Sequence, residues 1–137
     1  AMAASVLADA GFLVALLSRQ DAYHAWAAAQ AELFPPPWNT CDAVLSEAFH
    51  LLGMPGRGAL SALLRRRAAI PAYDLREDLE RPLKLMDKYA SVPMSLADAC
   101  LVRMSETLAD PVLLSTDSDF RIYRRHSRQA IPCVLPR

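Results

Sequence analysis

The sequence carries no net charge: Lys+Arg and Asp+Glu both number 15 in 137 residues. That excludes a protein that coats nucleic acid through bulk charge, but not an enzyme that grips a few phosphates locally. There is no cysteine framework either. Cys41, Cys100 and Cys133 are odd in number, widely spaced and form no CxxC pair, which removes a disulfide scaffold and a zinc knuckle. Each sits among apolar neighbours, as buried free thiols of a reducing compartment do. No apolar run approaches the roughly 20 residues that span a bilayer. The first residues lack a basic stretch and meet Asp9 too soon for a signal peptide, so a cytoplasmic protein without a membrane anchor is expected. Without G-x-G-x-x-G or a P-loop, nucleotide-cofactor chemistry has no support. His24, His50 and His126 lie far apart and beside no Ser or Cys nucleophile motif, which disfavours a histidine-based ribonuclease.

What is present is apolar. A hydrophobic fraction of 53% and a charged fraction of 22% suit one ordinary domain over residues 1–137 with a substantial core. Short stretches at 4–8, 38–41, 68–73, 111–115 and 131–135, most of them continuously apolar, read as strands, with Pro71 suited to a sheet edge. Helices are expected at 11–18, from an Asp21 N-cap to the Pro35–Pro37 stop, at 43–52, 59–67, at 75–89 with a kink at Pro82, and from Ser95 to about 108. Gly53-Met54-Pro55-Gly56 should separate two of them. Strands that are apolar throughout and alternate with helices predict a three-layer α/β/α sandwich around a central parallel sheet of four to five strands.

In open α/β sheets, ligands bind beyond the carboxyl ends of the strands. Asp9 and Asp117 each follow an apolar strand and therefore rise to one rim. Each also has a plain reading, a helix cap for Asp9 and an Asx-turn for Asp117. Asp98 shares a helical stripe with Leu101, Val102 and Ser105, where an aspartate is costly unless paired, protonated or bound to a cation. Ser95-x-x-Asp98 also reads as a capping box, and the two roles are compatible. Glu47 points away from its helix stripe of Leu45, Ala48, Phe49 and Leu52 and by itself reads as a solvated glutamate. Four carboxylates on one rim would repel one another. A hard divalent cation, Mg²⁺ or Mn²⁺, relieves that repulsion and suits phosphate chemistry.

These residues resemble a known family. Leu7-Ala8-Asp9-Ala10-Gly11-Phe12 looks like the opening strand and helix of a PIN domain. Leu45-Ser46-Glu47-Ala48, Ser95-Leu96-Ala97-Asp98-Ala99 and Ser115-Thr116-Asp117-Ser118-Asp119-Phe120 are similar to its later acidic motifs, in order and at the right separations. The length resembles that of VapC toxins of bacterial toxin–antitoxin pairs. The resemblance implies Mg²⁺- or Mn²⁺-dependent endonucleolytic cleavage of RNA by a metal-activated water, leaving 3′-hydroxyl and 5′-phosphate ends. It implies Asp9, Glu47 and Asp98 as metal ligands, with Asp117 or Asp119 completing the site. Thr116 or Ser115 would hydrogen-bond a carboxylate or the metal-bound water. A homodimer and a cognate antitoxin are further implications. Ala10 and Gly11 depart from the family pattern, which commonly has a hydroxyl residue at position 10.

Two basic clusters stand out, Arg65-Arg66-Arg67 at a helix end and Arg121, Arg124, Arg125 and Arg128 after the last acidic motif. The second is a candidate for RNA phosphate or partner contacts; both also read as solvated faces. Competing readings are a non-catalytic PIN-like module that binds RNA or protein, and a phosphatase of another doubly wound family. The latter should show a second Asp two residues after Asp9, where Gly11 stands.

Overall fold

The computed structural model describes residues 4–137. Five short parallel strands form the central sheet: β1 (Ser5–Ala8), β2 (Trp38–Thr40), β3 (Ala69–Pro71), β4 (Pro111–Leu114) and β7 (Cys133–Val134), in the order β3-β2-β1-β4-β7. Helices flank it, giving the α/β architecture that the apolar strands predict. Helix α1 (Ala10–Leu17) packs on α2 (His24–Leu33) and α3 (Asp42–Arg65). Helix α4 (Glu80–Lys88) packs on α5 (Leu96–Thr107), which itself lies against β1 and β4. A small antiparallel ribbon, β5 (Arg124–Arg125) with β6 (Gln129–Ala130), follows a 3-10 turn at Ser118–Arg121.

The core is continuous through sheet and helices. Leu7, Phe12, Leu13, Leu101, Leu113 and Leu114 are fully buried, each such side chain contributing about 1.5–3 kcal/mol. The register of β1 on β4 pairs Ala8 with Leu114. Asp9 and Ser115 therefore leave the sheet side by side, and the Asp9 amide donates to the Leu114 carbonyl at 3.0 Å. Pro71 ends an edge strand, as its missing N–H requires.

Several local expectations are corrected. Asp21 does not cap α2. Its carboxylate accepts from the Tyr23 amide in the preceding turn, and the helix begins at His24. The break in α3 is confined to Gly53, at φ 62° and ψ −163°. Helix resumes directly after it, well before 59, because Pro55 then falls in a first turn where its missing N–H is harmless. The helix expected over 75–89 starts only at Glu80, and Pro82 lies in its first turn instead of kinking it. Residues before it are drawn into turns by tertiary contacts. The Tyr73 hydroxyl bonds the Asp78 carbonyl and carboxylate, and Arg103 pairs with Asp78 at 2.7 Å. The last strand is shorter than expected, and the β5–β6 ribbon has no signal in the sequence.

Candidate active site

Asp9 directly follows β1 and caps α1. Its Oδ1 accepts from the Ala10 amide at 2.7 Å and its Oδ2 from the Ser115 hydroxyl at 2.7 Å. The Ser115 oxygen in turn accepts from the Asp117 amide at 2.9 Å. One fully buried hydroxyl therefore ties the acid after β1 to the acid after β4. Asp117 Oδ1 accepts from the Asp119 amide at 2.9 Å, the expected Asx-turn. Asp98 sits at the third position of α5, where Ser95 and Asp98 complete a capping box through bonds of 3.0 and 3.2 Å. The plain readings of Asp9, Asp98 and Asp117 are thus all real, and each leaves carboxylate lone pairs free. Glu47 lies on the exposed side of α3.

The acids share one electrostatic field. Asp9 is 7% exposed, and its carboxyl is raised from 3.8 to about 7. Burial is the main cause, the Ser115 and Ala10 bonds oppose it, and Asp98 and Glu47 push it further up. Asp98 is raised as well, by burial first and then by Asp117 and Glu47. Among the described residues the ion pairs are Arg103 with Asp78 and Arg103 with Glu106, so no Lys or Arg neutralises the rim acids.

The donors fit a hard divalent cation in kind. All are carboxylate oxygens, and the innermost is buried, uncompensated and repelled by its neighbours. Among the described residues no three His, Cys, Asp or Glu side chains make a ready-made metal cage.

Three features of the site were not legible in the motifs. Tyr123, fully buried, reaches Asp98 Oδ2 with its hydroxyl at 3.4 Å and stacks edge-on against Tyr89 and Phe120. Burial, Asp98, Asp119 and Asp117 all raise its phenol, which holds it as a donor. The only signal available in sequence was an apolar aromatic closely following the last acidic motif. Second, the motifs leave Thr116 and Ser115 as alternatives for a bond to a carboxylate; Ser115 makes it, whereas Thr116 packs against Gly11. A Cβ at Gly11 would overlap the Thr116 hydroxyl and lie 3.1 Å from Thr116 Cβ, which accounts for the glycine. Third, half of the basic cluster, Arg124 and Arg125, is spent inside the fold. Arg124 Nη1 donates to the carbonyls of Arg121, Ile122 and Tyr123, and Arg125 binds the Ser105 carbonyl through both Nε and Nη2. Arg121 is exposed.

An acid after β1, an acid after β4 and a third at the start of a helix beneath them are set by the strand register and by two caps. The PIN domain family model matches residues 6–125, which takes in all of these acids. The chain belongs to the PIN domain family. PIN domains are generally nucleases. No curated protein matches the chain closely enough to serve as a relative. Within this PIN domain a cavity of about 410 Å³ adjoins the acid rim, lined by Gly11, Val14, Tyr23, Leu51 and Thr116 among others. Among the described residues no helix is long and apolar enough to cross a membrane.

Proposed function

We propose that this PIN domain is a Mg²⁺- or Mn²⁺-dependent endoribonuclease and the toxin of a VapC-type toxin–antitoxin pair. The observation that carries the nuclease reading is Asp9. It is a buried carboxylate with no cation opposite it, tied through Ser115 to Asp117 and lying in the field of Asp98 and Glu47. A binding module has no use for such a repulsive set, whereas a hydrolase of phosphodiesters does. The toxin reading rests on the chain's length and the resemblance of its acidic motifs, and it brings a homodimer and an antitoxin as proposed partners.

Asp9, Asp98, Asp117 and Glu47 would hold the cation, with Asp119 a further candidate beside Asp117. When bound, the cation polarises a phosphoryl oxygen and lowers the pKa of a water. The chain's own contribution is placement. Ser115 fixes one oxygen of Asp9 and the turn that carries Asp117. The capping box fixes Asp98 on α5, and the Tyr123 hydroxyl donates to it.

The test is cleavage of RNA by purified protein with Mn²⁺, with EDTA, and by an Asp98→Asn variant. Cleavage that needs the metal and is lost in the variant is expected. Equal cleavage by the variant sinks the proposed site, and RNA binding without cleavage returns the non-catalytic module. Tyr123→Phe keeps the stacked rings and removes only the hydroxyl. It should leave the melting temperature within a few degrees while raising the half-saturating Mn²⁺ concentration by up to about 10-fold. A titration of activity against Mn²⁺ reads this directly, and an unshifted midpoint removes Tyr123 from the positioning of Asp98.

A further inference from the structure

Of the arginines that the sequence offers for phosphate binding, Arg124 and Arg125 are occupied inside the fold and Arg121 and Arg128 are exposed, and a further set of exposed cations lies on α4. Arg81, Lys84 and Lys88 recur at helical spacing along one face of α4, which is strongly amphipathic. All three are exposed and line a concavity of about 200 Å³ together with Leu85, Glu106 and Ser127. The acids nearby do not neutralise them. Glu106 already accepts from Arg103 and from the His126 amide, at 3.3 and 2.6 Å. Asp78, which feels Arg81, is paired with Arg103. Glu80 and Asp87 occupy the adjoining stripe of α4, and among the described residues neither forms an ion pair with these cations. Lys88 donates to the Ser127 carbonyl at 3.4 Å, a long bond that a phosphate oxygen would readily replace.

The stripe leads toward the acids. Lys88 Nζ lies 5.3 Å from the centre of the Tyr89 ring, Tyr89 stacks on Tyr123 at 5.1 Å, and the Tyr123 hydroxyl reaches Asp98. Two stacked rings therefore separate the last cation of the stripe from a carboxylate of the rim. The chain has no net charge, so its attraction for a polyanion must come from local concentrations of this sort.

We infer that the Arg81–Lys84–Lys88 face of α4, closed by the tip of the β5–β6 ribbon, is a secondary site for RNA backbone phosphates. It holds the strand a few nucleotides from the bond presented to the acid rim. This rests on the endoribonuclease reading and adds to it the surface that grips substrate outside the reacting centre. It reads charge, not sequence, since lysines and arginines on phosphates position a strand without specifying bases.

The experiment uses the full chain carrying Asp98→Asn, so that RNA is not consumed, and a labelled single-stranded RNA of about 20 nucleotides. Binding is titrated at several salt concentrations for this parent and for the same chain with Arg81→Gln, Lys84→Gln and Lys88→Gln. Each phosphate contact contributes about 0.7 to the slope of log K against log salt for a single strand. Loss of two to three contacts should therefore flatten the slope by about 1.5–2 and weaken binding at low salt by more than 10-fold. The same charge change at Arg65, Arg66 and Arg67 should leave the slope within error of the parent. Circular dichroism melts confirm that both triple variants fold. Equal slopes in the parent and the α4 variant overturn the inference, as does an equal loss in both triple variants. So does loss of binding to a poly-glutamate peptide with RNA binding retained, which would assign the face to an acidic protein partner. A parent that binds no RNA overturns it too. Metal-dependent RNA cleavage by the unsubstituted chain decides the nuclease reading separately.

Discussion

Asp9→Asn is expected to abolish cleavage and, at the same time, to stabilise the cation-free protein above neutral pH. The two effects have one cause. Burial pushes the Asp9 carboxyl from 3.8 to about 7, with Asp98 and Glu47 adding to the shift. Between about pH 4 and pH 7 the native state holds a proton that the unfolded chain has released. Stability of the cation-free protein therefore falls as pH rises through that window and stays low above it. The shift from 3.8 to about 7 corresponds to a loss on the order of 4 kcal/mol. An amide removes the charge while its oxygen still accepts from Ala10 or Ser115. Melting of the cation-free variant should depend on pH less than that of the native chain between pH 5 and pH 8, with Asp98 the remaining raised acid of the rim, and at pH 8 it should lie several degrees above the native chain. Its RNA cleavage should fall at least ~10²-fold, the loss that removal of a single transition-state contact already causes. Saturating Mn²⁺ should raise the melting temperature of the native chain more than that of the variant, because a ligand that binds only the folded state stabilises it. A variant less stable than the native chain at pH 8 would mean that Asp9 is a compensated structural acid.

Ser115→Ala is the second large effect, and it acts without touching charge. The hydroxyl donates to Asp9 Oδ2 at 2.7 Å and accepts from the Asp117 amide at 2.9 Å, fully buried. Its removal leaves that amide without a partner, which costs about 1–3 kcal/mol. It also releases both acids from their common anchor, and outer-shell anchors of this type are worth about 10- to 100-fold in metal affinity or activity. The loss should appear in kcat and in the half-saturating Mn²⁺ concentration, with little change in RNA affinity measured without metal. Thr116→Val, which leaves this relay intact and keeps the volume beside Gly11, should behave nearly as the native chain. An unchanged Mn²⁺ requirement in Ser115→Ala would separate the Ser115 relay from cation binding.

The fold was legible where burial dictates the pattern. Strands as apolar as β1 and β4 belong to a covered parallel sheet, and the acids that follow them surface at its rim. The structure departs from the local pattern where tertiary contacts override local preference. Residues before Glu80 are good helix formers, yet Tyr73 and Arg103 pull Asp78 into a turn. The β5–β6 ribbon turns through His126 and Ser127 at φ 49° and 67°, residue types that give no hairpin signal. It is fixed by Arg125 on the Ser105 carbonyl, 20 residues away. The same logic governs the site. Asp98 was marked by its place on an apolar stripe, and the capping box was visible as Ser95-x-x-Asp98. Nothing local marks the Asp9–Ser115 bond, which spans 106 residues and exists only through the β1–β4 register. The Tyr123–Asp98 contact and the internal use of Arg124 and Arg125 are equally non-local. Glu47 rested on the family resemblance. In the structure it is exposed on α3 and joins the other acids through its field on Asp9 and Asp98.

The central claim is that Asp9, Asp98, Asp117 and Glu47 act together as one cation site, and calorimetric titration of Mn²⁺ into the purified chain at pH 7.5 tests it most directly. Saturable binding to the native chain is predicted, lost or weakened at least ~10-fold in both Asp9→Asn and Asp98→Asn. Equal Mn²⁺ affinity in the native chain and both variants, or no saturable binding to the native chain, would contradict the claim.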